Sequence, residues 1–144
     1  MDAQKIEESL RRAKIAFLER DRELLDRQVN ERSMTHKFAE YLQQEFPGWN
    51  VDCEYNRSGI LPKTLDWHEV RSDDLDAPTV YPDIIVHHRG CQENLIVIEA
   101  KKSRVNDRDD RRKLAAYKAY LGYEYSVLLH FVTVGEPDIT WEFV

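Results

Sequence analysis

The chain has 144 residues, a formal charge of −6, and 42% apolar against 33% charged residues, which suits one folded domain and is too apolar for a disordered chain. No apolar run approaches the roughly 18 residues of a membrane span, and no apolar signal region follows Met1-Asp2-Ala3-Gln4-Lys5. Two cysteines, Cys53 and Cys91, with no CxxC pair argue against a disulfide scaffold or a zinc cluster, and the expectation is a soluble cytoplasmic protein with no membrane partner.

In chain order, residues 1–29 predict one N-terminal helix. Ala3, Leu10, Phe17 and Leu24 recur every seven positions with Ile6 and Ala13 between them, and no Gly or Pro interrupts. Such a stripe either packs on the core or offers a homodimer surface. Asn30 is placed to cap a second helix ending before Pro47-Gly48, with Met34, Phe38, Tyr41 and Leu42 as its inner face. Trp49 to Tyr55 alternates as a strand. Residues 57–79, with Gly59, Pro62 and Pro78 among many acids, read as an acidic loop or insertion. Val80–His88 and Leu95–Lys101 are strands joined by a Gly90-containing turn. Asn106 can cap a helix that carries Asp107, Asp109 and Asp110 in its first turn, buries Leu114, Tyr117 and Leu121 and stops at Gly122. Two strands, Tyr125–Val134 and Ile139–Val144, close the chain. The order implies an α/β fold with a mixed central sheet flanked by helices, residues 30–144 forming the main domain behind an extra N-terminal helix.

Charge is distributed unevenly. Residues 47–79 hold seven acidic and three basic groups, whereas eight Lys and Arg between Lys101 and Lys118 stand against Asp107, Asp109 and Asp110. A polyanion responds to such a local patch as well as to the total, although a solvated helix face has the same composition.

The chemistry-bearing feature is Tyr81-Pro82-Asp83-Ile84-Ile85-Val86 and, after the turn, Leu95-Ile96-Val97-Ile98-Glu99-Ala100-Lys101-Lys102. Strand alternation puts Leu95, Val97, Glu99 and Lys101 on one face and Ile96, Ile98 and Ala100 on the other. In an antiparallel hairpin, a three-residue turn pairs Asp83 with Glu99 and a five-residue turn pairs Asp83 with Lys101; both turn lengths are ordinary. Either register brings three ionisable groups together at one sheet edge. Two adjacent carboxylates repel unless a proton or cation intervenes. Hard oxygen ligands of this kind suit Mg²⁺ or Mn²⁺, with Lys101 beside them as a point positive charge.

Pro82-Asp83 on one strand and Glu99-Ala100-Lys101 on the next, with 15 residues between Asp83 and Glu99 and set between apolar strands and flanking helices, resemble the PD-(D/E)XK nucleases. The resemblance spans about residues 30–134 and implies a restriction-endonuclease-like α-β-β-β-α-β core. It implies an Mg²⁺-dependent (or Mn²⁺-dependent) endonuclease hydrolysing phosphodiester bonds in DNA, with RNA as another substrate class. Asp83 and Glu99 would be metal ligands, Lys101 would act on water and phosphate, and Glu31 would be an acidic metal-site residue from the first core helix. Lys113 and Tyr117 are candidates from the helix after the Lys101 strand. Lys102, Arg104, Arg108, Arg111, Arg112 and Lys113 are candidate phosphate contacts. The alternative implied by the small size and acidic balance is a catalytically weak or inactive nuclease-fold module that binds a protein partner in a defence or mobile-element system.

Overall fold

The computed structural model describes residues 1–54, 81–102 and 107–144. The acidic 57–79 segment, Arg104 and Asn106 lie outside the described residues.

The N-terminal segment forms two helices rather than one, α1 (Ala3–Arg20) and α2 (Arg22–Asp26). Asp2 caps α1 by accepting from Lys5 N at 2.9 Å. The break falls at Asp21, whose φ of −130° leaves the helical region and whose carboxylate accepts from the Tyr41 hydroxyl. The apolar periodicity continues across this point, but a side chain that prefers a cap position and finds a long-range partner ends the helix there. Of the expected stripe, Leu10 and Phe17 are buried together with Ile6 and Ala13, whereas Leu24 is half-buried and Ala3 is exposed. Leu10 and Phe17 therefore pack on the core.

Helix α3 (Glu31–Glu45) begins as expected at Asn30, whose side chain accepts from Ser33 N at 2.8 Å. Its buried face includes Met34, Phe38, Tyr41 and Leu42. Phe17 stacks on Phe131, and Phe38 meets the same ring edge-on, so α1 and α3 are joined to the sheet through aromatic contacts.

Among the described residues, β1 (Asn50–Cys53), β2 (Ile84–His87), β3 (Asn94–Lys101), β4 (Tyr125–Val132) and β5 (Asp138–Phe143) form one mixed sheet in the order β1-β2-β3-β4-β5. Within that sheet only the β3–β4 pair is parallel, and the crossover between those strands carries α4 (Arg108–Leu121). Gly122 ends α4 at a φ of +70°, a conformation that costs a glycine little. The helices sandwich the sheet. Ile84, Val86, Ile96, Ile98 and Leu129 pack in the core with α1 and α3. Ile85, Val97 and Leu128 pack on the other side with Leu114 and Tyr117 of α4. From Val97 onward, β3 alternates as expected. Leu95 joins the α1–α3 core instead, because the ladder slips by one residue between Val86 and His87. No helix among the described residues is long and apolar enough to cross a membrane.

The outer strand pair is held by a polar cluster. Buried His87 Nε2 lies 2.7 Å from Asp52 Oδ2, and the Arg89 guanidinium grips both oxygens of the same carboxylate. Burial alone would raise the Asp52 carboxyl, but the hydrogen bonds from Arg89 and His87 outweigh it and lower it below its ordinary 3.8. A depressed folded-state pKa contributes stability above the unfolded value that is lost as pH falls through the folded one. Asp52→Asn should therefore cost about 2 kcal/mol at pH 7 by urea unfolding, and the deficit should shrink as pH falls below 3.8. A deficit that is the same at pH 7 and at about pH 2.5 would contradict this origin.

Candidate active site at the end of strand β3

The β2–β3 ladder pairs Ile84 with Ile98, and one further step sets Asp83 opposite Glu99. Of the two registers open to the sequence, this is the one adopted. Asp83 Oδ2 accepts from Ala100 N at 2.8 Å, which fixes its carboxylate against the neighbouring strand. Glu99 lies on the α4 face and is only 3% exposed. Burial, then the charge and hydrogen bond of Asp83, push its carboxyl well above the usual carboxylate range. Among the described residues, Glu99 Oε1 has no hydrogen-bond partner. Two carboxyl groups in contact, one wholly desolvated and short of a partner, are stable only with a proton or a cation between them.

Helix α4 roofs this pair. Asp110, buried in the first turn of α4, meets the Lys101 ammonium at 3.0 Å. Burial works against the Lys101 charge, but Asp110 outweighs it and holds the group above its ordinary value. Lys113 is half-buried and opposes the rise in the Glu99 carboxyl. Tyr117 is fully buried, and its hydroxyl has no hydrogen-bond partner among the described residues. Burial, then the Glu99 charge, push that phenol far up, so it stays a neutral O–H near the carboxyl pair.

Glu31 reaches the site from the opposite layer. It stands in the first turn of α3, more exposed than its shared face with Met34 and Phe38 predicts, and Oε2 accepts from Lys102 N at 3.1 Å. Partial burial raises its carboxyl against the lowering effect of that bond, with Asp83 raising it further. A cavity of about 740 Å³ opens on this side, lined by Glu31, Arg32, Lys37, Glu54 and Asp83 among others.

The four expected residues Asp83, Glu99, Lys101 and Glu31 thus converge at the C-terminal end of β3. The expected phosphate contacts are more mixed. The Lys102 ammonium donates to Gln28 O and Val29 O at 3.2 and 3.3 Å, tying β3 to the turn before α3. Arg111 is paired with both Asp107 and Glu142. Arg108 and Arg112 are exposed on α4, and Arg104 lies outside the described residues. Asp110 joins the site although sequence alone groups it with the acids of the helix start. A signal for it exists: Asp110, Leu114 and Tyr117 stand at i, i+4 and i+7, which is one buried face.

Compared with family models, curated proteins and solved structures, the chain matches none.

Hard carboxylate oxygens and a buried Glu99 Oε1 without a partner among the described residues fit a small divalent cation, and solvent reaches the group from the side of Glu31 and Asp83, which line the cavity. Without one, the raised Glu99 carboxyl makes the fold less stable as pH rises: its contribution is full below the unfolded value of 4.5 and is lost as pH climbs through the folded one. Glu99→Gln removes that titration at nearly constant volume. In chelator, the variant should match wild type near pH 4.5 and exceed its melting temperature by a few °C at about pH 8. A variant less stable than wild type under the alkaline condition would contradict a neutral buried acid.

Proposed function

We propose that this chain is a restriction-endonuclease-like, metal-dependent nuclease that hydrolyses phosphodiester bonds in DNA. The observation that carries the reading is the contact between Asp83 and the buried Glu99, with the Lys101 ammonium two residues along the same strand face. The element order α3-β1-β2-β3-α4-β4, with β4 parallel to β3, supports the fold half of the proposal.

In this reading Asp83, Glu99 and Glu31 hold Mg²⁺ or Mn²⁺, which supplies Lewis-acid polarisation of the phosphate and a more acidic bound water. Asp83 is oriented by Ala100 N, and Glu31 by Lys102 N, so neither carboxylate depends on substrate for its position. Asp110 keeps Lys101 charged. Lys101 therefore serves as a fixed positive centre for the oxygen charge that grows during attack, not as a general base. Tyr117 and Leu114 close the α4 side and keep bulk water from Glu99. Arg108 and Arg112 of α4 offer phosphate contacts whose strength falls with salt.

A second reading keeps the fold and the site but not the chemistry: an inactive module that docks a protein partner. It is favoured by Lys101, Lys102 and Arg111, three cations of the basic patch, being already engaged by groups of the chain itself. Cleavage of plasmid and single-stranded DNA with Mg²⁺ or Mn²⁺ separates the two. Wild type should cut, and Asp83→Ala and Lys101→Ala should each lose roughly 100-fold or more. Equal activity in all three proteins, or none in wild type despite a metal-induced rise in melting temperature, would overturn the nuclease reading; the second outcome favours the docking module.

A further inference from the structure

A second cluster of metal-ligating side chains lies at the opposite end of the β2–β3 hairpin, where no part of the proposed nuclease chemistry reaches. β3 runs eight residues from Asn94 to Lys101, so about 20 Å of strand separates the two places. The turn is closed by His88 N donating to Glu93 O at 2.9 Å, and Gly90 permits it with a φ of +78°. His88, Cys91 and Glu93 each offer one ligand atom at this turn, and the three atoms lie within 4.8 Å of one another.

The His88 ring is unusually constrained for a group at a turn. Trp49 stacks on its face with ring centres 3.8 Å apart and planes within 9°. Its Nε2 lies 2.9 Å from Gly48 O. A carbonyl oxygen only accepts, so Nε2 must carry a proton and donate. That leaves Nδ1, which lies 2.7 Å from Glu93 Oε2. A bare nitrogen lone pair and a carboxylate oxygen repel at this distance; a positive centre between them is required. It is either a second ring proton or a metal ion. Cys91 Sγ, which donates to His88 O at 3.3 Å, adds a soft ligand atom at the same corner, so the positions suit a metal ion. A carbonyl bond that fixes the tautomer and aims the other nitrogen is also the arrangement that supports histidine ligands in metalloproteins.

We propose that His88 Nδ1, Cys91 Sγ and a Glu93 carboxylate oxygen form a binding site for a borderline-soft divalent cation of the zinc class, with water as the fourth ligand. An imidazole, a thiolate and a carboxylate together suit Zn²⁺ and disfavour Mg²⁺, which takes oxygen donors. On binding, the Cys91 thiol releases its proton to solvent and its sulfur becomes the metal-bound thiolate. Tetrahedral bonds of about 2.0–2.1 Å place ligand atoms roughly 3.3 Å apart, so the Nδ1–Oε2 pair opens by about half an ångström. Glu93 can supply that movement because its side chain is 65% exposed. The bound ion staples the hairpin turn, and through Trp49 and Gly48 it also staples the entry to β1.

The test is a Co²⁺ titration of the reduced, chelator-treated full chain, completed by competition with Zn²⁺. Wild type should develop a thiolate-to-cobalt charge-transfer band that saturates at one ion per chain, with the strong visible bands of tetrahedral cobalt, and Zn²⁺ should abolish both. Cys91→Ser should lose the charge-transfer band. Glu93→Gln should weaken Co²⁺ binding by roughly tenfold. Both positions are exposed, and circular dichroism checks that the variants fold. Cys53→Ser and the double variant Asp83→Asn/Glu99→Gln should keep the band, which separates this site from the carboxylate pair. No charge-transfer band in wild type, a band that survives Cys91→Ser, or a band lost in Cys53→Ser would each overturn the proposal; the first would leave His88 and Glu93 as an ion pair.

Discussion

A carboxyl group with 3% of its surface exposed, set against a second carboxyl on the adjacent strand, is the arrangement around which this fold is built. Hydrophobic packing does not explain Glu99, since an apolar residue of its size would fill the same space between Val97, Leu128 and Tyr117 without a desolvation cost. Its position is a consequence of register. Because Ile84 pairs with Ile98, Asp83 and Glu99 must face each other on the α4 side. Shifting the hairpin by one residue would turn every side chain of β3 to the other face and set Glu99 into the α1–α3 core. The packing that stabilises the sheet is thus the same packing that forces two like-charged groups together.

The N-terminal helices are coupled to this point as well. Lys102 leaves the end of β3 with its backbone N–H bound by Glu31 and its ammonium bound by two carbonyls of the turn before α3. That turn passes through Gln28 at a φ of +51°, a conformation that non-glycine residues rarely adopt. The chain tolerates it where a long-range cation satisfies the carbonyls. One residue therefore joins the layer that supplies Glu31 to the strand that supplies Glu99 and Lys101.

Much of this was legible in the sequence because local physics set it. Asn30 caps α3 and Gly122 ends α4, since those residues solve a terminus problem that depends on no distant partner. Alternation along β3 placed Glu99 and Lys101 on one face, and the hairpin reduced their meeting with Asp83 to two registers. What escaped was whatever a distant residue decides. The break at Asp21 depends on Tyr41, 20 residues away. The move of Leu95 to the other core depends on the slip beside His87. Asp110 became a site residue only once α4 laid its first turn over Lys101. The burial of Asp110 and Phe17 met the same limit, since it is a property of packing and not of spacing.

At the centre of the proposed function is a single divalent-cation site made by Asp83, Glu99 and Glu31, as against a proton-sharing acid pair with a neighbour. Anomalous diffraction from a crystal soaked in Mn²⁺ tests it most directly. The predicted result is a single strong peak between the carboxylates of Asp83 and Glu99, on the side facing Glu31, that vanishes in Glu99→Gln. A fully loaded crystal with no peak among these three groups, or with an undiminished peak in the variant, would contradict it.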